Sequence, residues 1–334
     1  MSGLYLKNKF AKELVMRLKQ STVGKTYYVD GTYGNDSGSG LYPFDAKKTV
    51  QGGVDAVTTN RGDVVVVGAG RYYENVRITK SKMTLMGAQT GGKQSVSIRA
   101  AGAGLAGADH AEATPLYGYT TLEGLTIRGS CVTVNAASVE ICGLELDTSG
   151  YQYETSQYYV YSGIYVGEGT RISSGYNYDC NGSYIHDCIF KRGATGILYD
   201  GAAEDHRLVD NLFYRTEGGA TKGGVFICPG SNRQSQRILI ADNTFMEMED
   251  LCYGILGYSH PEVKAVMVLR NAFLSKQGKD MTDAICYLGT GEWLVAGNWF
   301  GCSSAASMEG NSWTAGNYEG SAGNDPMTLF LTEA

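Results

Sequence analysis

Apolar residues in this chain come in runs of three to five, each closed by Gly, Asn or Asp. Runs this short cannot build an amphipathic helix, which needs apolar positions at 3.6-residue spacing over ten or more residues, and they predict short strands between tight corners. From residue 187 to 300 one phrase recurs, an apolar strand followed by a polar residue, Asn or Cys, any residue, and Phe. Its copies are Asp187-Cys188-Ile189-Phe190, Asp210-Asn211-Leu212-Phe213, Asp242-Asn243-Thr244-Phe245, Arg270-Asn271-Ala272-Phe273 and Gly297-Asn298-Trp299-Phe300, with Phe-to-Phe steps of 23, 32, 28 and 27. A second series keeps time with the first: Gly163-Ile164-Tyr165-Val166, Gly196-Ile197-Leu198-Tyr199, Gly224-Val225-Phe226-Ile227, Gly254-Ile255-Leu256-Gly257 and Ala284-Ile285-Cys286-Tyr287. A third strand precedes each Asn, as in Arg237 to Ala241, Ala265 to Leu269 and Trp293 to Ala296.

A supersecondary unit repeated at this period is a solenoid. Three short strands per unit predict an all-β fold, a right-handed parallel β-helix of about ten coils, because each strand can pair with its equivalent one coil away at about 4.8 Å. Like residues then stack into ladders, and stability approaches a sum of coil-on-coil contributions. Asn211, Asn243, Asn271 and Asn298 are expected to form a structural ladder at one corner, since Asn tolerates a tight bend and offers its amide to the next coil.

Residues 27–303 are expected to form the helix, 304–334 to close its last coil, and 1–26 to supply a short amphipathic element with Leu6, Phe10, Leu14 and Leu18 on one stripe. That element either caps the open first coil or docks onto a larger assembly. Met1 to Gln20 lacks the apolar core and cleavage site of a secretory signal, and no run of 18 apolar residues exists, so an uncleaved start and no membrane insertion are expected. The eight cysteines are then expected to be reduced, with Cys188, Cys228 and Cys286 in or beside core strands. Net charge of −6 with scattered Lys and Arg gives no electrostatic footprint for nucleic acid. Forty-six glycines against five prolines suit a chain full of corners.

The opening reads Tyr27-Tyr28-Val29-Asp30-Gly31, then Gly34-Asn35-Asp36-Ser37-Gly38, Tyr42-Pro43-Phe44, Val50-Gln51-Gly52-Gly53-Val54-Asp55-Ala56-Val57, Gly62-Asp63-Val64-Val65-Val66-Val67 and Tyr72-Tyr73-Glu74-Asn75-Val76. This succession of strand, Gly/Asn/Asp loop, short helix, Gly-Asp turn and a strand ending in Tyr-Tyr-Glu-Asn resembles the first coils of the pectate-lyase-like superfamily of right-handed β-helices. Such openings occur in secreted polysaccharide lyases and in bacteriophage tailspikes and virion decorations. The resemblance implies a homotrimer. With no secretory signal, a start at Met1 and a Tyr-rich face on which no catalytic constellation announces itself, the expectation is a bacteriophage virion surface protein, a capsid decoration (cement) or short tailspike, located in the virion; the 26 or so residues before the helix lean toward the capsid. Its partners would be the major capsid protein or a tail adaptor, and host or environmental polysaccharide. The alternative is a secreted polysaccharide lyase or glycoside hydrolase acting on an acidic polysaccharide.

Candidate chemistry is sparse. Val64 to Gly70 and Gly102, Gly104 and Gly107 imitate dinucleotide-binding turns without the strand-to-helix setting those need. Asp30, Asn35, Asp36 and Asp45 offer hard oxygen atoms for Ca²⁺, but without the spacing of a calcium loop, so no cofactor is expected. His110, His186 and His260 show no metal-ligand spacing. Twenty-four tyrosines against nine Phe are concentrated in two insertions, Tyr151, Tyr153, Tyr158, Tyr159 and Tyr161 in one and Tyr176 and Tyr178 in the next, where flat faces with hydroxyls suit glycan or subunit contact. The one corner with catalytic residue types is Asp200, Glu204, Asp205, His206 and Arg207, with Glu247, Glu249 and Asp250 expected at the matching place two coils on.

Overall fold

The computed structural model describes residues 24–88, 95–99, 120–122, 125–148, 159–167, 180–193, 195–200, 204–216, 223–228, 235–248, 252–257, 263–275, 281, 283–287, 292–302, 306–308 and 312–319. Three sheets run the length of the molecule. The first holds ten strands from Thr26–Val29 to Ser312–Ala315, and the second nine, from Gly70–Tyr73 to Tyr318–Glu319. The third runs from Val76–Ile78 to Ala306–Met308. Successive strands of one sheet belong to successive coils and pair in parallel. The sole antiparallel partner among the described residues is Thr120–Leu122, which folds back on Leu125–Val134. Parallel crossovers are right-handed, so the chain winds as a right-handed parallel β-helix. The coils continue past residue 303, where Ala306–Met308, Ser312–Ala315 and Tyr318–Glu319 each add to their own sheet. The 1–26 element with Leu6, Phe10, Leu14 and Leu18 lies outside the described residues except for its last three positions.

The recurring phrase is the second sheet seen end-on. Phe190, Phe213, Phe245, Phe273 and Phe300 are direct cross-coil partners. Their rings stack in parallel with centroids 4.6, 4.5, 4.6 and 5.4 Å apart. Flanking the stack, Gly196 and Gly224 leave room for the rings, since a Cβ on either would come within 2.5 Å of a Phe ring carbon.

The Asn ladder is as regular as the Phe stack. In each rung the amide N–H and Nδ2 donate to Oδ1 of the next Asn, from Asn211 through Asn243, Asn271 and Asn298 to Asn317. Nδ2 also caps a carbonyl of the preceding coil. The residue before each rung is left-handed: Asp187, Asp210, Asp242, Arg270, Gly297 and Gly316 have φ of 53 to 64°. Short polar residues and glycine are the ones that accept that conformation most readily.

The opening motif works through its carboxylates. Glu74 accepts the Val50 and Gln51 amides at 2.9 Å, at the start of helix α1 (Val50–Ala56), which Thr49 caps through the Gly52 amide. Asp63, wholly buried, accepts from the Lys25 and Thr58 amides and pairs with Arg61. Burial would raise the Asp63 pKa, but Arg61 and the two amides outweigh it and hold the carboxylate below its ordinary value. Seven of the eight cysteines are buried free thiols.

Candidate functional site

The expected catalytic corner does not assemble. Glu204 and Asp205 both pair with Arg237 of the next coil, at 2.8 and 2.6 Å, as an exposed ion cluster. Asp205 occupies a left-handed corner with φ 58°. His206 points inward and is fully buried. Its Nδ1 accepts from the Ser183 amide at 3.2 Å, and burial lowers its pKa to about 3, so it stays neutral. Arg207 faces solvent between Tyr184 and Leu239, and Asp200 ends a strand of the third sheet opposite Cys228. Glu247 lies in the second sheet, on a different corner from Glu204, while Glu249 and Asp250 lie outside the described residues. A left-handed corner at Asp205 and the alternation of the strand Arg207–Val209 that follows it explain the scatter.

The calcium candidates are equally committed elsewhere. Asp30 accepts the Thr32 and Tyr33 amides, Asp36 those of Lys48 and Thr49, and Asp45 the amide and hydroxyl of Ser39. Each carboxylate closes its own turn, and they do not converge. Of the tyrosines, Tyr159 and Tyr161 begin the strand Tyr159–Val166 rather than sitting in a loop, because the alternating Tyr-Val-Tyr-Ser pairs along Leu125–Val134. Tyr151, Tyr153, Tyr158, Tyr176 and Tyr178 lie outside the described residues.

Polar chemistry does gather on the outer face of the second sheet. Tyr72, Ile98 and Leu146 are buried in the core, so their neighbours at odd positions turn outward: Arg71 and Tyr73, Ser97 and Arg99, Glu145 and Asp147. Two columns result, running across the coils about 4.8 Å per step. One is Arg71, Ser97, Glu145 and Ile189, and the other is Tyr73, Arg99, Asp147, Lys191 and Tyr214. The Glu145 carboxylate accepts from the Ser97 hydroxyl at 3.1 Å and lies 3.6 Å from Lys191 Nζ. Asp147 is flanked by Arg99 and Lys191 in the ladder and is only 6% exposed. The Tyr73 hydroxyl, with help from Asp147 and Glu145, holds the Arg71 guanidinium above the ordinary arginine range. The Nε of Arg99 is buried and has no hydrogen-bond partner among the described residues. Three cations thus share a surface with two carboxylates, in a chain whose net charge is −6.

Glu145 and Asp147 stand two apart on one strand, so their Cα atoms are about 6.6 Å apart. Both side chains leave the strand on the same face, so the two carboxylates stand side by side on the outer surface. Sequence reasoning missed this surface because its members lie on five coils, with up to 48 residues between register partners. The outward positions of the strands are the signal that could have found it.

A second cluster is also distributed over coils. His186, buried in the first sheet, sits between Glu140 Oε1, 3.0 Å from Nε2, and Asp187 Oδ2, 2.7 Å from Nδ1. Burial opposes charge on the ring, but Asp187 and the Cys142 sulfur prevail and raise the His186 pKa to about 9. Spacing along the sequence gave no hint of these contacts.

No protein-family model matches the sequence, and no curated protein matches it. Among solved structures, the chain is similar to XylC in complex with xylose at TM-score 0.53, with 13% identity over 88% of this chain and 70% of that one. A rice weevil pectin methyl esterase aligns at TM-score 0.49, with 12% identity over 90% of this chain and 89% of that one. The likeness is one of fold. It agrees with the right-handed parallel β-helix built by the three sheets, and no residue role follows from it.

Proposed function

We propose that this β-helix engages an anionic polysaccharide along the outer face of the second sheet and cleaves it. Arg71, Arg99 and Lys191 would hold the carboxylates or sulfates of successive sugars, and Glu145 and Asp147 would serve as the acid–base pair. The observation that carries this reading is the pair of outward columns, in which two carboxylates are framed by three cations on an otherwise acidic protein. Cations at this spacing suit a charged polymer, which presents one anionic group per sugar. The fold is shared with a protein whose structure is a complex with xylose, which lends the carbohydrate reading support at the level of class.

The virion role expected from the sequence, with its homotrimer and its capsid or tail partner, rests on the resemblance of the opening coils, and no contact in the described structure favours it over glycan cleavage. The test is incubation of the full chain with a panel of uronic-acid and sulfated polysaccharides, assayed for new reducing ends and for unsaturated products. Reducing ends without unsaturation, lost in both Glu145→Gln and Asp147→Asn, are expected. Binding without turnover would leave a glycan receptor. Neither binding nor turnover across the panel would return the balance to a structural virion protein.

A further inference from the structure

The structure assigns Glu140, Cys142 and His186 to a Zn²⁺ site that ties one coil to the next. Glu140 and Cys142 are two apart on one strand of the first sheet, and His186 lies opposite Cys142 on the following coil. Ile141 and Ile185, the intervening residues, are buried in the core, which turns the three ligating side chains to the same outer side. Their nearest oxygen, sulfur and nitrogen atoms all lie within 4.8 Å of one another. Around a tetrahedral zinc with bonds of 2.0–2.3 Å, ligand atoms stand about 3.3–3.8 Å apart. Closing the site therefore takes side-chain shifts of an ångström or so and no change in coil register.

The surroundings already hold the ligands in pose. Thr84 Oγ1 donates to Glu140 Oε2 at 2.9 Å, leaving Oε1 directed at the histidine. Asp187 Oδ2 lies 2.7 Å from His186 Nδ1, the carboxylate–histidine arrangement that fixes the tautomer and presents Nε2 to a metal. Tyr184 stacks on the His186 ring at 4.2 Å and limits its rotation. Cys142 and His186 are 4% and 5% exposed, whereas the Glu140 side chain is 23% exposed, so the carboxylate edge is where an ion would enter and where a water would take the fourth position. One thiolate, one imidazole and one carboxylate form a mixed set that suits Zn²⁺ and disfavours Ca²⁺ or Mg²⁺, which take oxygen ligands. Binding exchanges the Cys142 thiol proton for a Zn–S bond and the His186 Nε2 proton for a Zn–N bond, and both protons go to solvent.

The test uses the full chain, freed of metal with EDTA and titrated with ZnCl₂ by calorimetry, and in parallel with CoCl₂ by absorption. One ion per chain is expected, with a thiolate-to-cobalt charge-transfer band in the near ultraviolet. Cys142→Ser and His186→Gln should each weaken zinc binding at least ~100-fold and remove that band or shift it, and Asp187→Asn should weaken it about 10-fold or more. Cys302→Ala, remote in sequence and outside the cluster, should bind as the parent does. If a variant fails to fold, the charge-transfer band and the sulfur, nitrogen and oxygen shell seen by X-ray absorption on the parent decide the matter. Absence of zinc uptake by the parent, a cobalt complex lacking thiolate absorption, or undiminished binding in folded Cys142→Ser would each overturn the assignment.

Discussion

Replacing Asn243 by Ala removes a middle rung of the corner ladder. Its Oδ1 accepts from the Asn211 amide and from Asn211 Nδ2, both at 3.0 Å, and its Nδ2 donates to the carbonyls of Leu208 and Ala241 at 2.9 Å and to Asn271 Oδ1 at 3.0 Å. Alanine strands at least two buried groups, the Asn211 N–H and the Leu208 carbonyl. At about 1–3 kcal/mol for each unsatisfied buried group, the loss is about 2–6 kcal/mol. Asn317→Ala, on the last rung among the described residues, should cost less, since the groups it serves, the Asn298 N–H and the Val295 carbonyl, are bonded to it in a part-buried setting. Urea denaturation reads the total, and hydrogen exchange by mass spectrometry reads the location. Because coils contribute stability nearly independently, exchange should accelerate in peptides spanning Leu208–Phe213 and Ala241–Phe245 and much less in the first coils. A loss under about 1 kcal/mol, or uniform acceleration along the chain, would refute the view that the ladder is the mechanical seam of the corner.

Gly224→Val drives a side chain into the Phe245 ring, 2.5 Å from where its Cβ would sit, and should destabilise by about 1–3 kcal/mol in the same denaturation assay. Acid should weaken the fold through two groups. His206 is neutral when folded, with its pKa at about 3 against 6.5 for the free ring, so stability falls as pH drops below 6.5 toward 3. A His206→Gln variant should flatten that slope in melting temperature against pH. Asp63, held below 3.8, contributes stability that is present above that value and lost as pH falls through its folded pKa, and Asp63→Asn should remove the contribution at neutral pH. Lys191→Ala should weaken binding of an anionic polysaccharide and lower its salt dependence while leaving the melting temperature within a few degrees, measured by affinity electrophoresis and calorimetry.

The fold was legible because a stacked architecture repeats its own constraints. Every Phe of the recurring phrase lands opposite the next, and every Asn finds the following Asn, so a one-dimensional period in the sequence is a contact map. The left-handed residue ahead of each Asn was visible as Asp or Gly in most copies, though Arg270 disguises it. The surfaces were not legible for the complementary reason. Glu145 and Lys191 lie 46 positions apart yet 3.6 Å apart in space, and His186 meets Glu140 across the same interval. Residues adjacent in sequence, such as Arg207 and Leu208, are sent by the pleat to opposite sides of the wall. A cluster such as Glu204 to Arg207 therefore looks catalytic in a row and becomes an ion pair, a core histidine and a solvated arginine in the coil.

The most direct measurement of the central claim is a crystal structure of the Glu145→Gln variant with a bound anionic oligosaccharide. Sugar rings lying across the second sheet, with acidic groups against Arg71, Arg99 and Lys191 and a glycosidic oxygen within hydrogen-bond reach of residue 145 or Asp147, are the predicted result. An oligosaccharide bound on another face, with these columns untouched, would contradict it.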